Sequence, residues 1–186
     1  MATSDQSLTP SPSAAPLGGE SAHRAAPFVA ELDDAIRRLR EHAAMEHVGL
    51  TRPVPGEAER WEAAQVWAHL AEFGDYWLRQ LSQLLNDSST GPVPFGRTRH
   101  DEERIAAIER GRSVPVDEQL ATIERAADEL RLVLTHLTAD DWNRVGVHPT
   151  LGEMDVARFL DEFLVGHYSQ HADQLDELRP PSDEPQ

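Results

Sequence analysis

Three histidines carry the chemistry that this sequence can offer. His167 and His171 stand four apart in the run Gly166-His167-Tyr168-Ser169-Gln170-His171-Ala172. Apolar residues at Leu160, Phe163, Leu164, Leu175 and Leu178 fall on the stripe of an amphipathic helix, and both histidines lie on it. Residues four apart on a helix point the same way, one turn along, so two imidazoles aim together at the core. His69 lies on a second such stripe, between Val66 and Phe73. A buried imidazole needs a hydrogen-bond partner or a metal. Three neutral imidazoles suit Zn, Ni, Fe or Cu and leave a coordination position open for water or substrate. The other ring N–H of each ligand needs an acceptor, and Glu72, Gln170, Asp173 and Gln174 are the candidates. The plain alternative is that each histidine is a core residue satisfied by a hydrogen bond.

Other chemistries are excluded. The chain has no Cys, which removes disulfides, thiolate ligands and Cys nucleophiles. A metalloprotease helix needs His-Glu-x-x-His, and here Tyr168 stands where the Glu base would be. The paired Glu-x-x-His of di-iron bundles is missing, as are a phosphate-binding glycine loop and a Gly-x-Ser-x-Gly elbow. All 17 basic residues are Arg, against 33 acidic ones, for a net charge of −16. Such a surface repels nucleic acid and anionic lipid, so the expected partner is a small-molecule substrate, with no nucleic acid and no membrane. No stretch approaches the roughly 18 apolar residues of a membrane span, and the N-terminus has no secretory pattern. A cytoplasmic protein is the expectation.

Four long amphipathic segments must position the histidines. The first runs from about Pro27 to Val48, the second from Trp61 to Asn86, the third from Val116 to Leu137, and the fourth from Glu153 to Arg179. The ends, 1–26 and 180–186, are rich in Ser, Ala, Pro and Gly or in Pro and acid, and read as disordered tails around one domain at 27–179. His42 and His47, five apart, are expected to point away from each other. Trp61 and Trp142 are expected to pack at helix ends. The absence of a strand pattern predicts an all-α fold, a four-helix bundle. His69 lies about 12 Å into its helix, and the other two lie near the end of theirs. If the three meet, the second and fourth helices run antiparallel. The long link from Asp87 to Val116 then acts as a crossover between the second and third helices, giving up-down-down-up topology. Its length also suggests a cover for the site mouth, from Pro92 to Arg112.

The run Trp61-Glu-Ala-Ala-Gln-Val-Trp-Ala-His69-Leu-Ala-Glu-Phe, then Leu151-Gly-Glu-Met, then Gly166-His167-x-x-x-His171-Ala-Asp-Gln-Leu175, resembles the DinB/YfiT-like superfamily of metal-binding four-helix bundles. The resemblance spans about Pro27 to Leu178 and implies a metal triad of His69, His167 and His171, holding Zn or Ni. It also implies a low-molecular-weight thiol such as mycothiol as cofactor, with S-transferase or isomerase activity. Metal-dependent hydrolysis and non-enzymatic metal or small-molecule binding are the alternatives. The family tends toward homodimers.

Overall fold

The computed structural model describes residues 18–53 and 59–180. Its elements in order are α1 (Gly18–Ala43), α2 (Ala63–Asn86), β1 (Val93–Pro94), α3 (Glu102–Gly111), α4 (Val116–His136), α5 (Ala139–Trp142), β2 (Val145–His148), β3 (Gly152–Asp155), α6 (Val156–Phe163) and α7 (Val165–Asp176). The long helices pack as a bundle around one core, because each buries an apolar stripe. Leu32, Ile36 and Leu39 come from α1, Val66, Leu70, Phe73 and Leu81 from α2, Ile123, Leu130 and Leu134 from α4, and Phe159, Leu160, Ala172 and Leu175 from α6 and α7. Ion pairs tie the helices together outside this core: Asp33 with Arg131, Arg40 with Glu124, Asp75 with Arg125, and Arg38 with Asp173.

The first helix starts nine residues before the Pro27 expected from the sequence, so 18–26 belong to the fold and not to a tail. Pro27 lies inside the helix at the expense of one backbone hydrogen bond. Tertiary contacts on either side offset that loss. Ala25 is buried, the Arg24 guanidinium lies 4.8 Å over the Trp142 ring, and Phe28 stacks on the same ring at 5.8 Å. The tail residues 1–17 and 181–186 lie outside the described residues.

The all-α expectation is also corrected. β1 pairs parallel with β2, and β2 pairs antiparallel with β3, with Gly146 opposite Met154 and His148 opposite Gly152. Glu153, expected to open the fourth helix, is therefore in a strand. The helix begins after Asp155, whose side chain accepts the Arg158 N–H at 2.9 Å and caps it. Strands of two to four residues are too short to reveal an alternating pattern.

The expected fourth helix is further divided at Leu164, where φ is −133° and ψ −83°. Gly166 explains why the break is tolerated. A Cβ there would lie 2.4 Å from the Asp161 carbonyl oxygen, so only glycine allows the two turns this close. The break stands immediately before His167. It lets α6 bury Phe159 and Leu160 while α7 turns its histidine face toward α2.

Candidate functional site

Helix α2 brings His69 to the face that also buries Val66, Leu70 and Phe73. Helix α7 brings His167 and His171, one turn apart, to the same point. His69 Nε2 lies 3.1 Å from His167 Nε2, which in turn lies 3.0 Å from His171 Nε2. Among the described residues, this is the cluster of three whose ligand atoms all fall within 4.8 Å of one another.

Proton counting shows what this arrangement lacks. The Nδ1–H of His171 donates to Gln174 Oε1 at 2.7 Å, so its Nε2 presents a bare lone pair. His69 Nδ1 faces the Glu72 carboxylate at 3.8 Å, too far for a hydrogen bond. A proton attracted there leaves His69 Nε2 bare as well. His167, between them, can donate one Nε2 proton to only one neighbour. Burial, reinforced by the mutual repulsion of the rings, holds His69 and His167 well below the ordinary histidine value. Burial lowers His171 to about 4, partly opposed by the hydrogen bond it donates to Gln174. Near neutral pH, three uncharged rings thus converge with more lone pairs than protons. A cation would satisfy all of them. With bonds of about 2.0–2.1 Å, a tetrahedral site has ligand nitrogens about 3.3 Å apart, close to the two contacts seen.

The surroundings are apolar on one side and cationic on the other. Trp61 stacks on His171 with centroids 6.1 Å apart and rings 2° from parallel, and meets His69 edge-on at 5.2 Å. Phe73 packs against His167 at 4.9 Å. A cavity of about 640 Å³ opens on His69 and His167, walled by Trp77, Phe163, Arg97, Arg104 and His148 among others. A second cavity of about 260 Å³ reaches His171 from the Trp61 side. Arg104 and Gln170 line both.

The long connection supplies the cationic wall. Gly96 turns it inward with φ +89°, and its N–H donates to Gln80 Oε1 at 2.6 Å. Arg97 follows, bonded to Glu72 and lying 3.8 Å over the Tyr76 ring. The Nε2–H of His148 donates to the Arg97 carbonyl at 3.1 Å, and its Nδ1 accepts the Leu151 N–H at 3.3 Å, so β2 braces the loop. Burial keeps this imidazole's pKa lowered.

The four acceptors expected from the sequence separate. Gln174 holds His171, and Glu72 stands beside His69 while bonded to Arg97. Asp173 pairs instead with Arg38, and Gln170 faces the cavities. His42 and His47 do not diverge as expected. Helix α1 ends at Ala43, the chain folds back, and His42 Nδ1 lies 3.1 Å from His47 Nε2. His42 Nε2 also lies 3.3 Å from Asp176, away from the cavities. The sequence reading missed Trp61, Arg97, Arg104 and His148. Arg97 and Arg104 fall inside the segment its length marked as a cover, but loop residues show no periodicity from which a facing direction could be read.

No curated protein matches the sequence. Several solved structures resemble the fold, two of them as follows. One is YfiT from Bacillus subtilis, described as a probable metal-dependent hydrolase with an unusual four-helix bundle topology. It is 20% identical, with a TM-score of 0.64 over 92% of this chain and 91% of that one. The other is an uncharacterised protein from Escherichia coli UTI89, 10% identical, with a TM-score of 0.58 over 83% of this chain and 91% of that one. Among the described residues, no helix is long and apolar enough to cross a membrane. The family model of the DinB superfamily matches residues 20–175, the stretch that includes all three clustered histidines, and the chain belongs to that superfamily.

Proposed function

We propose that His69, His167 and His171 hold a divalent metal, Zn or Ni, and that the protein is a metal-dependent enzyme acting on a small molecule in the adjoining cavity. The observation that carries this is the convergence of three uncharged Nε2 atoms with too few protons to satisfy one another. A cavity of about 640 Å³ reaching the cluster supports an enzyme over a sealed structural site, since ligand pockets run to roughly 300–1,000 Å³. The net charge of −16 supports a small-molecule substrate over nucleic acid.

The finer reading is a thiol-dependent S-transferase or isomerase, with a mycothiol-type cofactor. A divalent ion at the three nitrogens would polarise a substrate and ionise a coordinated thiol or water. The protein's own residues support the thiol. Glu72 is committed to Arg97, and Glu162, at the cavity edge, lies 3.6 Å from Arg158. Neither is therefore free as a general base, and Glu59, on the wall of the smaller cavity, is the other carboxylate near the imidazoles among the described residues. A thiol needs no such base once coordinated, and the Cys-free chain requires the sulfur to come from outside. Gln174 fixes the His171 ring, the Glu72 carboxylate faces His69, Phe73 packs against His167, and Trp77 and Phe163 offer apolar surface to a substrate. Hydrolysis is the second reading, favoured by the likeness to YfiT.

The same reading includes the up-down-down-up order. Asp33–Arg131 with Arg40–Glu124 support opposite directions for α1 and α4, and His69–His171 with Trp77–Phe163 support the same for α2 against α6 and α7. Glu31–Ser169 with Arg38–Asp173 support a common direction for α1 and α7.

The test is single-turnover assay of metal-loaded protein with mycothiol and an electrophile, beside ester and amide substrates in water. Conjugate formation that is lost in His167→Ala supports the thiol reading. Hydrolysis without conjugation would replace it.

A further inference from the structure

The cavity walls carry the opposite charge to the rest of the molecule. The chain has a net charge of −16, yet among the described residues the larger cavity is lined by Arg97, Arg99 and Arg104 against Glu162. The smaller one is lined, among the described residues, by Arg52, Arg99 and Arg104 against Glu59. Arg104 is common to both and stands between them, beside His69 and His167.

Arg97 is neutralised by its bond to Glu72. Arg104 differs. Its Nη1 donates to the Arg99 carbonyl at 3.2 Å, and its guanidinium lies 5.6 Å over the Trp61 ring. Among the described residues no carboxylate lies within ion-pair distance of it. Burial, and after it the like charge of Arg97, pushes its pKa below the ordinary arginine value. A part-buried guanidinium held by a carbonyl and an aromatic face is a fixed fork without its usual partner.

We propose that the cavity takes its substrate as a small carboxylate, bound by the Arg104 guanidinium while the reacting end lies at the three imidazoles. This rests on the proposed function, which places a small-molecule substrate there. A carboxylate fits better than a phosphate. The Arg104 fork matches one carboxylate, while Glu59 and Glu162 on the walls oppose the second negative charge of a phosphate dianion. The carboxylate would lie against Trp61, which couples the anion position to the ring stacked on His171.

The test is titration of metal-free and metal-loaded protein with butyrate, its neutral analogue butyramide, and inorganic phosphate at constant ionic strength. The readout is the indole N–H signal of Trp61 by NMR, assigned with Trp61→Phe. Butyrate should move that signal saturably in the metal-free protein, butyramide should not, and phosphate should bind more weakly than butyrate. Arg104→Gln should raise the butyrate Kd about tenfold or more, with Arg104→Lys in between. An unchanged Kd in folded Arg104→Gln, equal binding of butyramide, or tighter binding of phosphate overturns the proposal. If Arg104→Gln does not fold, Arg104→Lys decides by the same criterion. Metal content is measured on the same samples. Butyrate binding in a protein that takes up no metal would leave this proposal standing and remove the metal reading. Metal uptake without butyrate binding would do the reverse.

Discussion

Replacing Gly166 with Ala sets two effects of opposite sign against each other. Helix propensity alone favours Ala over Gly by up to about 1 kcal/mol. The structure opposes this, because the new Cβ would lie 2.4 Å from the Asp161 carbonyl oxygen and 2.9 Å from its Oδ1. The side-chain oxygen can rotate away, but the backbone oxygen cannot move without shifting the last turn of α6. An ordinary contact is about 1 Å longer, so the break at Leu164 must open by roughly that amount, which costs about 1–3 kcal/mol in a packed interior. The strain therefore exceeds the propensity gain. The middle of that range less the propensity gain leaves a net loss of about 1 kcal/mol, which for a chain of this size lowers Tm by roughly 2–4 °C. Gly166 adjoins His167, so the same displacement should also weaken metal binding. Calorimetry on the metal-free protein, followed by metal titration of the same samples, reads both effects. A Tm that rises or stays level would show that the break is not held closed by the glycine, and the account of how α7 is aimed would fail.

Tyr168→Phe should be neutral or stabilising by up to about 1 kcal/mol, because the buried hydroxyl has no hydrogen-bond partner among the described residues; a clear loss in urea unfolding would contradict that. Gln174→Ala removes the acceptor for the His171 Nδ1–H and should weaken metal affinity about 10–100-fold in a competition titration, with little change in the fold. Metal-free protein should lose stability in acid. His171 falls to about 4 in the fold from 6.5 unfolded, so the unfolded chain binds the proton first. That contribution is fully present above 6.5 and is lost as pH falls toward 4, about 2 kcal/mol of it by about pH 5. Urea midpoints at pH values across this window should fall in wild type and change less in His171→Gln; equal slopes would refute the assignment.

The parts legible in the sequence were those set by helical periodicity. The stripe through Val66, His69 and Phe73 and the spacing of His167 and His171 turned the three rings toward the core, and the resemblance to the DinB/YfiT-like superfamily named them as one set. Features set by tertiary contact were not legible. Pro27 reads as a helix start, and only packing on Trp142 carries the helix through it. Asp155 is a cap that could have been read, but the acidic run around it looked helical. The break at Leu164 leaves the apolar stripe nearly intact, so periodicity does not expose it. The cationic wall depends on a loop turned by Gly96 and braced by His148, two residues separated by about a third of the domain.

The most direct test of the central claim is elemental analysis of untagged protein purified without added metal, beside the His167→Ala/His171→Ala double variant. The account predicts about one Zn or Ni per chain in the wild type and none in the variant. Equal metal in both, or none in the wild type even after metal is supplied, would contradict it.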